Sequence, residues 1–233
     1  MALPILNNPV YTLELPSTGE NIDFRPFLVK EQKALMIAEQ SNNEKVINKT
    51  IVELVNNCTF GKVDARKLPI FDVELIFLKL RSKSVGESAQ VIITCPDDGE
   101  TKVPVTINLE DIDVAVTEEH TNEINITDDI KIVMRYPTLN DVQVKKSDDA
   151  ALMFDMIHKS IDEVHNGDEI ITKVDMTDKE LTEFVESMNT QQLESVMEFF
   201  STMPKLRHVV EVENPKTKEK NQVLIEGLNN FLQ

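Results

Sequence analysis

Residues 69–109 read PIFDVELIFLKLRSKSVGESAQVIITCPDDGETKVPVTINL, and the apolar period changes in the middle of them. Up to Gly86, Ile70, Val73, Phe77 and Leu80 recur at steps of three and four, the spacing of one helical face. Pro69 suits a first helical turn because its φ is already set and its missing N–H is not needed there, and Gly86 is a natural stop. Beyond Gly86, SAQVIITC and ETKVPVTINL are rich in β-branched residues and enclose Pro-Asp-Asp-Gly, a strong turn signal. The expectation is a helix followed at once by an antiparallel hairpin. That order does not fit a βαβ repeat and predicts the α+β class, antiparallel hairpins combined with helical segments.

Working upstream, Tyr11–Leu15 and Asn21–Arg25 alternate in polarity around PSTG and predict an opening hairpin. FLVKEQKALMIAEQS follows with Phe27, Leu28, Leu35, Met36 and Ile37 available for one helical side. Asn43 is placed to cap NEKVINKTIVELVNN. Downstream, Glu123–Ile126 and Ile130–Tyr136 flank TDD as a second middle hairpin, and a helical section starts near Thr138 or Asn140. Within it DDAALMFDMIHKSIDEV repeats apolar residues at Ala150, Met153, Phe154, Ile157, Ile161 and Val164, a helical pattern. DKELTEFVESM and TQQLESVMEFFSTM continue it with Asp178 and Thr190 as caps, and LRHVVEVENPKTKEKNQVLIEGL is a final hairpin. Three stretches result: 1–87 with the hairpin and helices, 88–137 with two hairpins, and 138–233 with helices and the last hairpin.

The composition is that of an ordered globular chain, 41% hydrophobic and 28% charged, so folding calls for no disulfide or cofactor. A formal net charge of −17 argues against nucleic-acid partners, because affinity for a phosphate backbone comes from Lys and Arg displacing counterions. The acidity is concentrated: residues 88–213 carry 28 acidic and 10 basic side chains, whereas 1–87 carry 11 of each. Such a surface serves either as a solvated face or as a site for a basic partner. Cys58 and Cys95 are too few for a disulfide scaffold, and MALPILNNPVYTLELP lacks the layout of a signal peptide, which predicts a cytoplasmic protein. The richest apolar run, LPIFDVELIFLKL, contains two acids and a lysine and is too short to span a bilayer, so no membrane insertion is expected.

Chemical motifs are largely missing. The six glycines are never closer than thirteen residues, which excludes dinucleotide-fingerprint and P-loop phosphate cradles. No HExxH or GxSxG is present, and His158 and His165 stand seven apart with Asn166-Gly167 interrupting, a poor basis for a shared metal. Thr94-Cys95-Pro96-Asp97-Asp98-Gly99-Glu100 looks like one zinc-ribbon knuckle with aspartate in place of its second cysteine. With no second CxxC to complete four ligands, it reads as a tight turn, and Cys95→Ser should leave stability nearly unchanged. Paired acids such as Asp128/Asp129 read as solvated turns, so no catalytic residue, cofactor or metal ligand is assigned. The methionines, among them Met153, Met156, Met188, Met197 and Met203, read as core filler, although Met-rich faces also suit adaptable binding.

The helix beginning at Pro69 has a second apolar stripe, formed by Phe71, Leu75 and Leu78. Glu74 and Arg81 occupy one gap between the stripes and Asp72, Lys79 and Lys83 the other. Two readings stay open: a central helix enclosed by its own domain, or one stripe on the core and Phe71, Leu75 and Leu78 as partner-binding candidates.

The stretches Asn21–Leu35 (NIDFRPFLVKEQKAL) and Leu68–Glu87 (LPIFDVELIFLKLRSKSVGE), with Val133–Thr138 (VMRYPT), resemble a baseplate hub or hub-assembly protein family of T-even-type contractile-tailed bacteriophages. The resemblance spans roughly residues 10–140. It implies a late viral protein acting in host cytoplasm on the path to the baseplate, with other hub or tail proteins as partners; the strings carry no catalytic chemistry, and with the missing motifs this predicts a protein that is not an enzyme. It leaves open whether the protein stays in the virion. The favoured function is a structural hub subunit; the alternatives are a transient assembly factor or chaperone absent from the mature virion and, remotely, a hydrolase with dispersed catalytic residues. Oligomeric state is not legible.

Overall fold

The computed structural model describes residues 6–141 and 149–228. In chain order the elements are β1 (Tyr11–Glu14), β2 (Asn21–Phe24), α1 (Val29–Gln40), α2 (Glu44–Cys58), α3 (Ile70–Val85), β3 (Ser88–Thr94), β4 (Lys102–Asn108), β5 (Asp113–Ala115), β6 (Glu123–Asn125) and β7 (Ile130–Met134). There follow α4 (Asp149–Ser160), β8 (Ile161–Asn166), β9 (Glu169–Thr172), α5 (Asp178–Glu186), α6 (Thr190–Thr202), β10 (Lys205–Glu213) and β11 (Lys220–Glu226). Helices combined with small antiparallel sheets make the fold α+β.

Local signals explain most of these boundaries. Asn43 accepts from the Lys45 and Val46 N–H groups and so starts α2. Pro69 stands at the N-cap of α3, and Gly86 ends it with φ 145°, a backbone region that only glycine occupies without strain. Thr177 with Glu180 and Asn189 with Gln192 form capping boxes for α5 and α6, each one residue before the cap expected.

The chain divides into two compact units: the described residues of Met1–Ala115 and Lys205–Gln233 form the first, those of Val116–Pro204 the second. This division does not follow the stretches 1–87, 88–137 and 138–233. The short strand β5 pairs with β10 (Val114 opposite Leu206), so the last hairpin joins the first unit across almost ninety intervening residues. Pairing partners so distant in sequence leave no local trace.

In the first unit the sheets are β1–β2, β3–β4 and β11–β10–β5. Its interior is organised around α3, whose Phe71, Val73, Leu75, Ile76, Phe77, Leu78 and Leu80 are all buried. The helix packs against α2, β5 and β10. The second unit has a four-stranded antiparallel sheet in the order β6–β7–β8–β9. Ile132, Ile157, Ile161 and Val196 are its most deeply buried side chains, and Met153, Met188 and Met197 pack against that core.

One expected helix is corrected. The helical pattern predicted through Val164 stops at Ser160, and Ile161–Asn166 is strand β8 between β7 and β9. The cause is a register irregularity: Val133 stands opposite Glu163 and Met134 opposite Ile161, leaving Asp162 as an extra residue. With that bulge Ile161 and Val164 both bury, giving a strand the i, i+3 apolar spacing of a helix. Strand β9 was not expected either; Gly167, at φ 60°, makes the tight turn into it instead of ending a helix. The expected helix start near Thr138 or Asn140 is corrected too: both residues lie in a non-helical turn, where Asp141 accepts from the Thr138 N–H and hydroxyl, and residues 142–148 lie outside the described residues.

Candidate partner-binding surfaces

The second stripe of α3 is not a surface. Phe71, Leu75 and Leu78 are 4%, 1% and 0% exposed. Both stripes are enclosed by the first unit, and the docking role expected for these three residues is withdrawn. Three of the polar residues between the stripes are bound from within: Ser17 donates its N–H and hydroxyl to the Asp72 carboxylate. Leu228 N–H donates to Glu74, and Lys79 donates to the carbonyls of Glu110 and Ile112. Burial raises the Asp72 and Glu74 carboxyls above their ordinary values, with the hydrogen bonds acting in the opposite sense.

The knuckle-like turn also has an internal role. Asp98, standing where a second cysteine would stand, accepts from Thr101 N–H, the Thr101 hydroxyl and Glu100 N–H. These bonds, Thr101 first, hold its carboxyl well below the usual range. Asp97 reaches the β10–β11 turn, accepting from Asn214, Asn221 and the Thr217 hydroxyl. The Thr217 bond leads in lowering its carboxyl. A carboxylate on several N–H and O–H donors thus closes the loop and ties two hairpin tips together. Cys95 is fully buried, which the turn reading did not anticipate. His158 lies on α4 and His165 on β8, where it meets Glu163 at 2.6 Å. Among the described residues no three His, Cys, Asp or Glu side chains converge as a metal site would require.

Helix α1 buries Glu31 and Ala38 and exposes Val29, Met36 and Ile37 at 81%, 53% and 57%; of the apolar side expected to face a core, Phe27 is buried and Leu28 and Leu35 are half-buried, whereas Met36 and Ile37 face outward. In the second unit a cleft opens between β8–β9 and α5. Val164 and Leu181 line its buried part, and Ile171, Met176 and Phe184 its half-buried walls. Asp175 and Glu180 stand exposed at its rim. Glu180 accepts from the hydroxyl and N–H of Thr177, which hold its carboxyl below the ordinary range and keep it charged. Beside the cleft, β9 is an outer strand of its sheet; Ile170 on it and Val174 in the turn that follows are exposed at 57% and 90%.

Charge is distributed unequally between the units. Residues 116–204 carry 20 acidic and 7 basic side chains, so 13 of the 17 net negative charges belong to the second unit. Between residues 168 and 186 there are seven acids against Lys173 and Lys179. Lys173 donates to the His158 carbonyl, and Lys179 lies 3.6 Å from Glu183. The cleft therefore combines an apolar floor with a negative rim, a combination complementary to a basic segment with apolar side chains. No helix among the described residues is long and apolar enough to cross a membrane.

Comparison with known proteins adds one match. The family model described as T4 bacteriophage base plate protein matches residues 8–233. No curated protein and no solved structure matches the chain.

Proposed function

The chain belongs to the T4 bacteriophage base plate protein family, and from that premise we propose that it is a non-enzymatic baseplate hub component of a contractile tail. It acts by binding other hub or tail proteins during assembly in the host cytoplasm. The observation that carries the binding mode is the acidic, apolar-floored cleft between β8–β9 and α5 in the unit that holds most of the net charge. Its partner is a basic, apolar-bearing segment of a neighbouring tail protein. Apolar contact with Ile171, Met176 and Phe184 supplies short-range attraction, and the rim charges steer approach and choose the sign of the partner.

A photo-crosslinker placed at position 176 and activated in infected cells tests this. Capture of baseplate or tail proteins is expected, reduced when Asp175→Asn and Glu180→Gln remove the rim charge while keeping its hydrogen-bond acceptors. Capture that ignores the charge variants would refute the cleft mode. The same acidity and the adaptable Met176 in the cleft wall also suit an assembly factor that binds and departs. Quantitative mass spectrometry of purified virions separates the two: a subunit is present at fixed stoichiometry, and a departing factor is missing.

A further inference from the structure

Each unit contains an arginine that directly follows the second strand of a hairpin, and the two arginines are bonded alike. Arg25 follows β2 and Arg135 follows β7. The strands leading in present the same buried pair two residues apart, Ile22 and Phe24 in one unit, Ile132 and Met134 in the other. The backbone N–H of each arginine donates to the carbonyl of the last residue of a helix: Arg25 to Cys58 at 3.0 Å, ending α2, and Arg135 to Ser160 at 2.7 Å, ending α4.

The side chains repeat the likeness. Each guanidinium grips, through both terminal nitrogens, the carboxylate six residues later. Arg25 meets Glu31 at 2.8 and 3.2 Å, and Arg135 meets Asp141 at 2.9 and 3.0 Å. Each also donates to the carbonyl of the residue that follows it, Pro26 at 3.0 Å and Tyr136 at 3.4 Å. Each carboxylate in turn accepts from the N–H three residues after the arginine, Leu28 at 2.5 Å and Thr138 at 2.8 Å. Burial acts to raise both carboxyls; the arginine and backbone donors outweigh it and hold both below their ordinary values.

We infer that the two units are built on one repeated device, hairpin, arginine clamp and helix end, in which a bidentate guanidinium locks the chain leaving the strand against the C-terminal end of a helix in its own unit. The requirement is geometric. A planar fork satisfies a carboxylate through two nitrogens and has N–H groups left for a carbonyl, which an ammonium cannot reproduce in one fixed orientation. The helix end adds a carbonyl in need of a donor, and a cation is favourable beside it. The copies differ in detail: Asp141 also takes the Thr138 hydroxyl, and Lys159 donates to its carbonyl, whereas Glu31 sits in the first turn of α1. The inference stands whether or not the cleft docks a neighbour.

Amide hydrogen exchange on the full chain, combined with two double-mutant cycles, tests it. The variants are Arg25→Gln and Glu31→Gln singly and together, and Arg135→Gln and Asp141→Asn singly and together. Within each cycle the double variant should lose little more stability than the single ones. Exchange should accelerate about tenfold or more in β1–β2 and the end of α2 for the first pair, leaving residues 116–204 unchanged. The second pair should do the same in β6–β7 and the end of α4, leaving the first unit unchanged. Arg25→Lys and Arg135→Lys keep the charge and should still lose most of the protection; they also serve where a glutamine variant fails to fold. Additive losses in either cycle, lysine variants that behave as wild type, or acceleration that spreads to the other unit would overturn the repeat.

Discussion

At the scale of the residue, hydrogen bonding and burial act in opposite senses on three carboxylates of the first unit, Asp97, Asp98 and Asp72. Asp97 and Asp98 are lowered by donors at a solvent-facing turn. Asp72 is enclosed by α3 and its surroundings and is raised by burial. For a raised acid the contribution to stability is complete below its ordinary value of 3.8 and is lost as pH rises through the folded value. Asp72→Asn should therefore improve relative to wild type between pH 3.5 and pH 7, a trend that denaturant titrations at the two ends will show; a flat difference would mean that Asp72 is not strained by its charge. Cys95 requires a change of expectation. Because its side chain is fully buried, Cys95→Ser encloses a hydroxyl in place of a thiol and should cost about 1–3 kcal/mol instead of being neutral. Its thermal unfolding midpoint relative to wild type checks this.

At the scale of the element, α3 was legible as a helix with two apolar faces, and its caps at Pro69 and Gly86 were legible too. Which face met solvent was not, because a stripe covered by the chain's own strands and one covered by a partner have the same sequence. Both are interior. Leu75→Ala with Leu78→Ala should thus destabilise the isolated protein by about 4 kcal/mol or more, as two core cavities do. Equilibrium unfolding of the double variant measures it, and near-native stability would restore the docking reading. Strand β8 shows the opposite difficulty. Its bulge at Asp162 makes Ile161 and Val164 bury together and imitates a helical period, so the pattern pointed to the wrong element.

At the scale of the whole molecule, the division into units decides where charge resides. The acidic middle noticed along the chain becomes a strongly negative second unit beside a nearly balanced first unit. Exposed charges steer encounter and are screened over about 8–10 Å at ordinary ionic strength. Raising salt should therefore slow association of the protein with its tail partner more than it speeds dissociation. Stopped-flow or surface-based kinetics at two salt concentrations will show this, and a salt-independent on-rate would reduce the acidity to a solubility feature.

By itself the sequence determined what short-range chemistry controls. The α+β class, the capping of α2 by Asn43, the hairpins around PSTG, PDDG and NPKTKEKN, and the family all follow from residues a few positions apart or from strings such as NIDFRPFLVKE. Tertiary structure alone decided what depends on partners far along the chain. It paired β5 with β10, set Asp97 against Asn214 and Asn221, enclosed Phe71, Leu75 and Leu78, and assembled the cleft from β8, β9 and α5. It also gave Arg25 and Arg135 the same set of bonds, though Pro26 directly follows one arginine and Pro137 stands two residues after the other. The physical reason is common to all of these: a period or a cap is read within one or two turns, whereas burial and ion pairing belong to whichever surfaces the folded chain brings together.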